Sequence, residues 1–410
     1  MTVATLPATV SRVALPTYLS PSLFRDLDRC PLKVFANADT VPGALPRSPR
    51  LLLGTLLHHV REQLLLGRWG TAADRNNACV ELLARASKQM DSMLLSDPRT
   101  ERLVPLAATV GRTRWNSRFF ALKRWADRLD VEPTGEAPAD LRIMTSATAK
   151  DDERREDQDV ARVDVGPEAW VVCPALRLRG RADHIKRTAD GVFEISDFKS
   201  GTIVDDEERP LISHALQVRL YGLAVENVID RARVRLYIEG GERIHVTWTE
   251  DTRQECAEML HAVLEEFRPG DDRAAQELAR PGTWCRGCRL RPTCSAYLAQ
   301  VPKWWHNGGD SPRPLPLDSW GTIRNIEIGA AVATMEIVDG AGRSVRIEGV
   351  DVTRGVADLG VGDHVFLFDL MPTEPTIYHG ARLQPRNFHE MPPDGGLRLR
   401  RARSLQLYRG

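Results

Sequence analysis

Lysine is scarce in this 410-residue chain, at seven residues against 49 arginines. None of the seven follows a glycine, and there is no Gly-x-x-x-x-Gly-Lys-Ser/Thr stretch, which excludes the phosphate-cradling loop of one large class of ATP-driven enzymes. Long apolar runs are missing too. Met1 to Leu15 lacks the basic-then-apolar order of a secretory leader, so no membrane association is expected and the cytoplasm is the expected compartment. Net charge is zero, with 56 basic and 56 acidic residues, so any nucleic-acid surface must be a local patch rather than a global field. Seven irregularly spaced cysteines do not suggest a disulfide framework, yet three crowd into Cys285 to Cys294, which points to a metal or cluster. The length predicts two or three domains.

The chemistry concentrates between Gly180 and Gly201. Two runs of β-forming residues flank Thr188-Ala189-Asp190-Gly191, and Asp-Gly between such runs predicts a hairpin. A three-residue loop over Ala189 to Gly191, with Gly191 supplying the positive φ, sets Thr188 against Val192 and counts Asp183 directly opposite Asp197. Strand alternation then puts Asp197 and Lys199 on one side, and Glu194, Ser196 and Phe198 on the other. Two carboxylates this close repel unless a cation sits between them, and hard oxygen ligands suit Mg²⁺ or Mn²⁺. Lys199 is left for a substrate phosphate. Scattered surface charges are the ordinary alternative for an isolated Asp-x-Lys, but a chain that writes nearly all its positive charge as Arg has kept a compact Lys here.

Along the chain, Ser20 and Pro21 predict a helix start with Leu23, Leu27 and Cys30 on one face. Gly54 to Trp69 predicts a second helix, buried through Leu53, Leu57, Val60 and Leu64, with His58 and His59 beside that stripe. Asn77 to Leu95 and Gly111 to Leu129 read as further helices, and the mixed-charge run Asp151 to Asp164 as a solvated loop. Leu211 to Ile229 is a helix on which Gln217 and Tyr221, spaced i,i+4, lean over the hairpin. Strands at Val234 to Ile238 and Ile244 to Thr249 extend the sheet, and Thr252 to Phe267 is another helix. Cys285, Cys288 and Cys294 then call for Zn²⁺ or an iron–sulfur cluster and for one more ligand, for which Cys30 is the best candidate. After a linker at residues 303–317, short alternating strands within 318–390 (Gly321 to Glu327, Ala331 to Val338, Arg343 to Gly349, His364 to Leu370, Ala381 to Asn387) predict a small all-β barrel of OB type. Residues 391–410 read as a basic tail with Arg398, Arg400, Arg401, Arg403 and Arg409, either a solubilising end or a backbone-contacting arm.

Taken together, these motifs resemble the RecB-like branch of the PD-(D/E)XK nuclease superfamily, especially its iron–sulfur members such as AddB-type and CRISPR-associated spacer-processing nucleases. The resemblance covers roughly residues 17 to 300, and the nuclease domain is expected over residues 1–302. The family's Gly-x-x-x-His matches Gly54 to His58, its Gly-x-x-Asp matches Gly180 to Asp183, its Asp-x-Lys matches Asp197 to Lys199, and its Gln-x-x-x-Tyr matches Gln217 to Tyr221. Its Cys-Pro paired with a distal Cys-x2-Cys-x5-Cys matches Cys30 and Cys285, Cys288 and Cys294. The resemblance implies an α/β restriction-endonuclease-like core, a mixed sheet flanked by helices, with a 4Fe–4S staple on the four cysteines and Zn²⁺ as the alternative. It implies a divalent metal held by His58, Asp183, Asp197 and the Phe198 carbonyl. Lys199 would position or deprotonate the attacking water, while Gln217 and Tyr221 hold the strand. The expected function is Mg²⁺- or Mn²⁺-dependent hydrolysis of DNA, single strands preferred, by an exonuclease or flap-type enzyme in repair, recombination or phage defence. With no ATP loop of its own, the chain is expected to work with a separate helicase or ATPase. The alternative is a single-stranded-DNA-binding or scaffold subunit of a larger complex, which the intact set of matched catalytic positions disfavours.

Overall fold

The computed structural model describes residues 3–69, 74–97, 99–129, 131–141, 160–240, 242–304, 317–338, 340, 342, 344–372 and 397–410. The chain opens with two short strands, β1 (Ala4–Thr5) and β2 (Arg12–Ala14). The helix expected from Ser20 is broken into a 3-10 turn at Pro21–Leu23, a single turn at Phe24–Leu27 and a separate helix at Pro31–Phe35. Pro31 has no N–H to continue the ladder, so Cys30 becomes the extended residue before a new start. Three longer helices follow: α1 (Pro49–Leu65), α2 (Arg75–Leu95) and α3 (Arg112–Ala126). α1 begins before the expected Gly54 because Ser48 accepts from the Leu51 N–H and Pro49 fits the first helical position. Its stripe Leu53, Leu57, Val60 and Leu64 is buried as anticipated, packed with α2 and α3 around Leu82, Met90 and Leu122.

Six strands then lie side by side in chain order: β3 (Arg162–Val163), β4 (Gly166–Cys173), β5 (Leu178–Arg187), β6 (Val192–Phe198), β7 (Arg233–Glu239) and β8 (Arg243–Val246). Neighbours are antiparallel except β6 and β7, which run parallel because α4 (Ile212–Val228) carries the chain back across the sheet. The sheet is therefore mixed. One face packs on α4 through Ile185, Phe193, Ile195 and Leu236, and Phe198 on the other joins the core of α1 to α3. Residues 151–159 of the expected charged loop lie outside the described residues, and within the rest of it Arg162–Val163 is a short strand paired with β4, which corrects the loop reading there.

The hairpin has the anticipated geometry. Gly191 (φ 78°) donates to the Thr188 carbonyl, and Thr188 N–H bonds the Val192 carbonyl at 2.9 Å. His184 pairs with Ser196, so the next step places Asp183 opposite Asp197.

Past α5 (Glu250–Glu266), β9 (Asp272–Ala274) pairs with β2, and the cysteine loop leads into a helix at Ser295–Trp304. Residues 305–316 of the expected linker lie outside the described residues. The all-β part comprises β10 (Leu317–Ile328), β11 (Val332–Val338), β12 (Ser344–Asp351), β13 (His364–Pro372) and β14 (Leu397–Arg409). β14 closes the ring, parallel to β12 on one side and antiparallel to β13 on the other, and β1 adds to its edge. This corrects the reading of a tail over Leu397–Arg409; residues 391–396 of that expected tail lie outside the described residues. Leu397, Leu399, Leu405 and Leu407 alternate with polar residues, a strand pattern that the arginine count obscured, and Leu405 and Leu407 are buried. The expected strand at Ala381 to Asn387 lies outside the described residues.

One buried node joins the two parts. Arg291, just after Cys288, donates to both carboxylate oxygens of Asp318 (2.8 and 2.7 Å) and to Asp369 (2.6 Å), while Tyr297 donates to Asp318 at 2.6 Å. Burial raises the Asp318 carboxyl against the pull of Arg291.

Candidate active site

Three strands place a row of carboxylates across the sheet. On β4, Pro167 pairs with His184 and Ala169 with Ala182, so Glu168 stands across from Asp183, which in turn stands across from Asp197. Glu168 adopts φ 49°, a left-handed backbone uncommon for a non-glycine residue. α1 brings His58 edge-on against the Phe198 ring, 5.6 Å between centroids, with its Nδ1 3.6 Å from Asp183 Oδ2. Among the described residues, His58, Glu168 and Asp183 form the group of three metal-ligating side chains whose ligand atoms lie within 4.8 Å of one another.

Asp197 is buried, and Lys199 Nζ lies 2.7 Å from its Oδ2, an ion pair on the buried strand. Lys199 also donates to Gln217 Oε1 at 3.1 Å, so α4 aims the ammonium. Tyr221, buried one turn further on, donates to the Arg181 carbonyl at 2.8 Å and thereby holds β5. That contact explains Gly180: a Cβ there would stand 2.7 Å from the Tyr221 oxygen.

Burial sets the protonation of this site. It pushes the Asp197 carboxyl up to about 7, with the neighbouring Asp183 adding to a shift that Lys199 opposes. Glu168 rises to about 7, again through burial and then Asp183. Asp183 goes the other way: burial raises it, but His58, Arg61, Lys199 and the Phe198 N–H together outweigh that and hold it below the usual carboxylate range. Burial lowers His58, leaving a neutral imidazole suited to ligation. A neutral imidazole and the carboxylates of Glu168 and Asp183, with the buried Asp197 on the next strand, are a donor set that fits a hard divalent cation.

A profile of the PD-(D/E)XK nuclease superfamily matches residues 18–295 of this chain. The chain belongs to that superfamily. PD-(D/E)XK proteins are nucleases that use divalent metals, which agrees with the donor set just described. No curated protein matches the chain. Every site residue singled out in the sequence as a PD-(D/E)XK match lies at this end of the sheet, apart from the four cysteines.

The structure adds residues that the sequence reading passed over. Glu168 is one, and only the β4–β5 register reveals it. Arg61 is another, three residues after His58 on the same helical face: it donates to the Asp183 carbonyl at 3.1 Å and to Glu239 at 3.3 Å while stacking over Trp125 and Phe198. Glu239, at the end of β7, also accepts from Trp125 at 2.8 Å, and its carbonyl accepts from Lys199 N–H at 2.7 Å. The i,i+3 spacing of His58 and Arg61 could have found Arg61; Glu239 needs the parallel pairing of β6 with β7.

The cysteines form a separate centre. Cys30, Cys285, Cys288 and Cys294 line one small cavity. Burial pushes the Cys285 thiol up to about 12 and Cys288 to about 11, and raises Cys294 as well. The Cys30 thiol faces the Leu278 carbonyl at 4.0 Å, across 248 residues of chain.

Proposed function

We propose that this chain is a nuclease of the RecB-like, iron–sulfur branch, hydrolysing phosphodiester bonds in DNA with single strands preferred, from an end or at a flap. The observation that carries the reading is the convergence of His58, Glu168 and Asp183, with Asp197 across from Asp183 on β6 and paired with a lysine aimed by Gln217. His58, Asp183, Asp197 and the Phe198 carbonyl, with Glu168 added, would hold Mg²⁺ or Mn²⁺. Such an ion supplies Lewis acidity and lowers the pKa of water. Lys199 orients the attacking water and offsets negative charge as oxygen adds to phosphorus and the bond to the leaving oxygen breaks. Tyr221 fixes β5 through Arg181, and Arg61 fixes the Asp183 backbone, so the carboxylates keep their spacing.

Four thiols drawn from both ends of the domain into one cavity support a 4Fe–4S staple, with Zn²⁺ as the alternative. The strand order β10-β11-β12-β14-β13, closing back on β10 with β12 parallel to β14, supports an OB-type barrel that holds a single strand near the nuclease part. A separate helicase or ATPase partner follows from the missing ATP loop. The test is incubation of the purified chain with labelled single- and double-stranded DNA, with Mn²⁺, Mg²⁺ or EDTA. Metal-dependent shortening of single strands is expected, and binding without cleavage in either metal would leave the DNA-binding or scaffold reading.

A further inference from the structure

The side of the hairpin turned away from the catalytic carboxylates has a cavity of its own. Alternation along β5 and β6 sends His184, Lys186, Glu194 and Ser196 to that side. There they line a space of about 350 Å³, walled by Leu65, Trp125 and Leu129 from the helical layer. Its size falls at the lower end of small-molecule sites, typically about 300 to 1,000 Å³.

Two groups lining this cavity are left unmatched by the fold. Ser196 is only 3% exposed, yet its hydroxyl has no hydrogen-bond partner among the described residues. Valine or isoleucine, common in this sheet, would fill the position without leaving a polar group unmatched. Lys186, one of seven lysines, stands across from Glu194, but that carboxylate is engaged by Arg243 at 2.9 Å and Arg235 at 3.6 Å. Among the described residues Lys186 has no ion pair. The other acid lining the space, Glu239, is already engaged by Arg61 and Trp125. What remains on offer is an apolar wall, an unmatched hydroxyl on the strand and an unengaged ammonium. That set suits a small molecule with a flat apolar body and one anionic group.

We propose that this cavity is a second ligand site that takes one nucleoside monophosphate, its base against Leu65 and Leu129, its phosphate toward Lys186 and a hydrogen bond to Ser196. The choice of a nucleotide over another flat anion rests on the nuclease reading. The same chemistry is offered by a free mononucleotide released on cleavage and by the terminal nucleotide of a bound strand.

Calorimetric titration of the full chain in EDTA tests this, with dAMP, deoxyadenosine and a 5′-phosphorylated tetranucleotide as separate ligands. One dAMP per chain is expected, with Lys186→Ala weakening it about tenfold, as for loss of one charge-assisted contact. Ser196→Val should weaken binding while raising the melting temperature, whereas a serine with a purely structural role would not couple the two in that way. A tetranucleotide that binds where dAMP does not, and loses affinity in Lys186→Ala, assigns the occupant to a strand end and supports the site equally. No binding of either phosphate-bearing ligand at millimolar concentration overturns the proposal. So does deoxyadenosine binding as tightly as dAMP, or wild-type affinity in the exposed-site variant Lys186→Ala. Cleavage is not measured here, so a negative result leaves the nuclease reading standing.

Discussion

The Phe198 N–H meets Asp183 Oδ2 at 2.6 Å, so the backbone between Asp197 and Lys199 on one strand holds the carboxylate on the next. The site is thus braced across the hairpin independently of the Asp197 and Lys199 side chains. Lys199→Ala is expected to cut cleavage by about 10²- to 10⁴-fold, the range for a group that acts on proton transfer or developing charge. DNA affinity should stay unchanged, while the melting temperature should fall at neutral pH because the buried Asp197 carboxylate loses its ammonium partner. Single-turnover cleavage beside a filter-binding assay reads both, and wild-type cleavage in Lys199→Ala would sink the mechanism.

Asp197 and Glu168 give the metal-free protein an unusual pH dependence. Both carboxyls are raised to about 7 in the folded chain, so between their ordinary values and 7 the folded state binds more protons than the unfolded state. Their contribution is complete at low pH and is lost as pH rises toward 7. In EDTA, the melting temperature of Asp197→Asn should therefore gain on wild type as pH goes from 5 to 7.5, and Mn²⁺ should narrow the gap by stabilising the wild type. A difference that does not change with pH would show that Asp197 is ionised throughout.

The same protons must leave before a cation binds. Mn²⁺ affinity should fall steeply between pH 7 and 6, approaching about tenfold per pH unit for each proton displaced. Glu168→Gln should flatten that slope and weaken binding, while Glu258→Gln, an exposed acid on α5 far from the cluster, should do neither. Titration calorimetry in buffers of different ionisation enthalpy counts the protons directly.

Arg291 answers for the attachment of the barrel. Removing it leaves Asp318 buried and unpaired, and breaking a buried pair in this way typically costs about 3–5 kcal/mol. Arg291→Ala should lower the urea midpoint and expose the barrel strands to protease, a stronger effect than that of Arg346→Ala on its surface. Truncation of the chain before Leu317 should be poorly tolerated for the same reason, since Arg291 and Tyr297 would both lose Asp318.

Cys30→Ala should lose bound metal and destabilise the nuclease part, whereas Ala at Cys79, Cys173 or Cys256, which lie outside the four-thiol cavity, should keep it. Iron and zinc analysis of anaerobically purified protein distinguishes four irons per chain from one Zn²⁺. A Cys30→Ala protein with wild-type metal content would remove Cys30 from the set.

Local signals wrote the hairpin plainly: Asp190-Gly191 sets the turn, and the register of Asp183 against Asp197 follows by counting. The i,i+4 pair Gln217 and Tyr221 likewise fixed which helical face meets the sheet. Glu168 was not legible, because its place opposite Asp183 depends on where Pro174–Leu176 turns the chain between two strands. β14 was misread for another reason: its arginines, at alternate and adjacent positions, outweighed four leucines in period two. The breaks around Pro31 show a helical stripe overridden by one missing donor.

The contact of Cys30 with the Leu278 carbonyl has a consequence for biosynthesis. At about 5–20 residues per second, ribosomes deliver Leu278 roughly 10 to 50 s after Cys30. Through that interval the first thiol of the cavity has none of its companions, and the short helix at Pro31–Phe35 has no loop to close over it. On the proposed reading, a metal would find its full set of ligands only in chains whose synthesis has passed Cys294, and a product stalled before Cys285 would carry one of the four thiols.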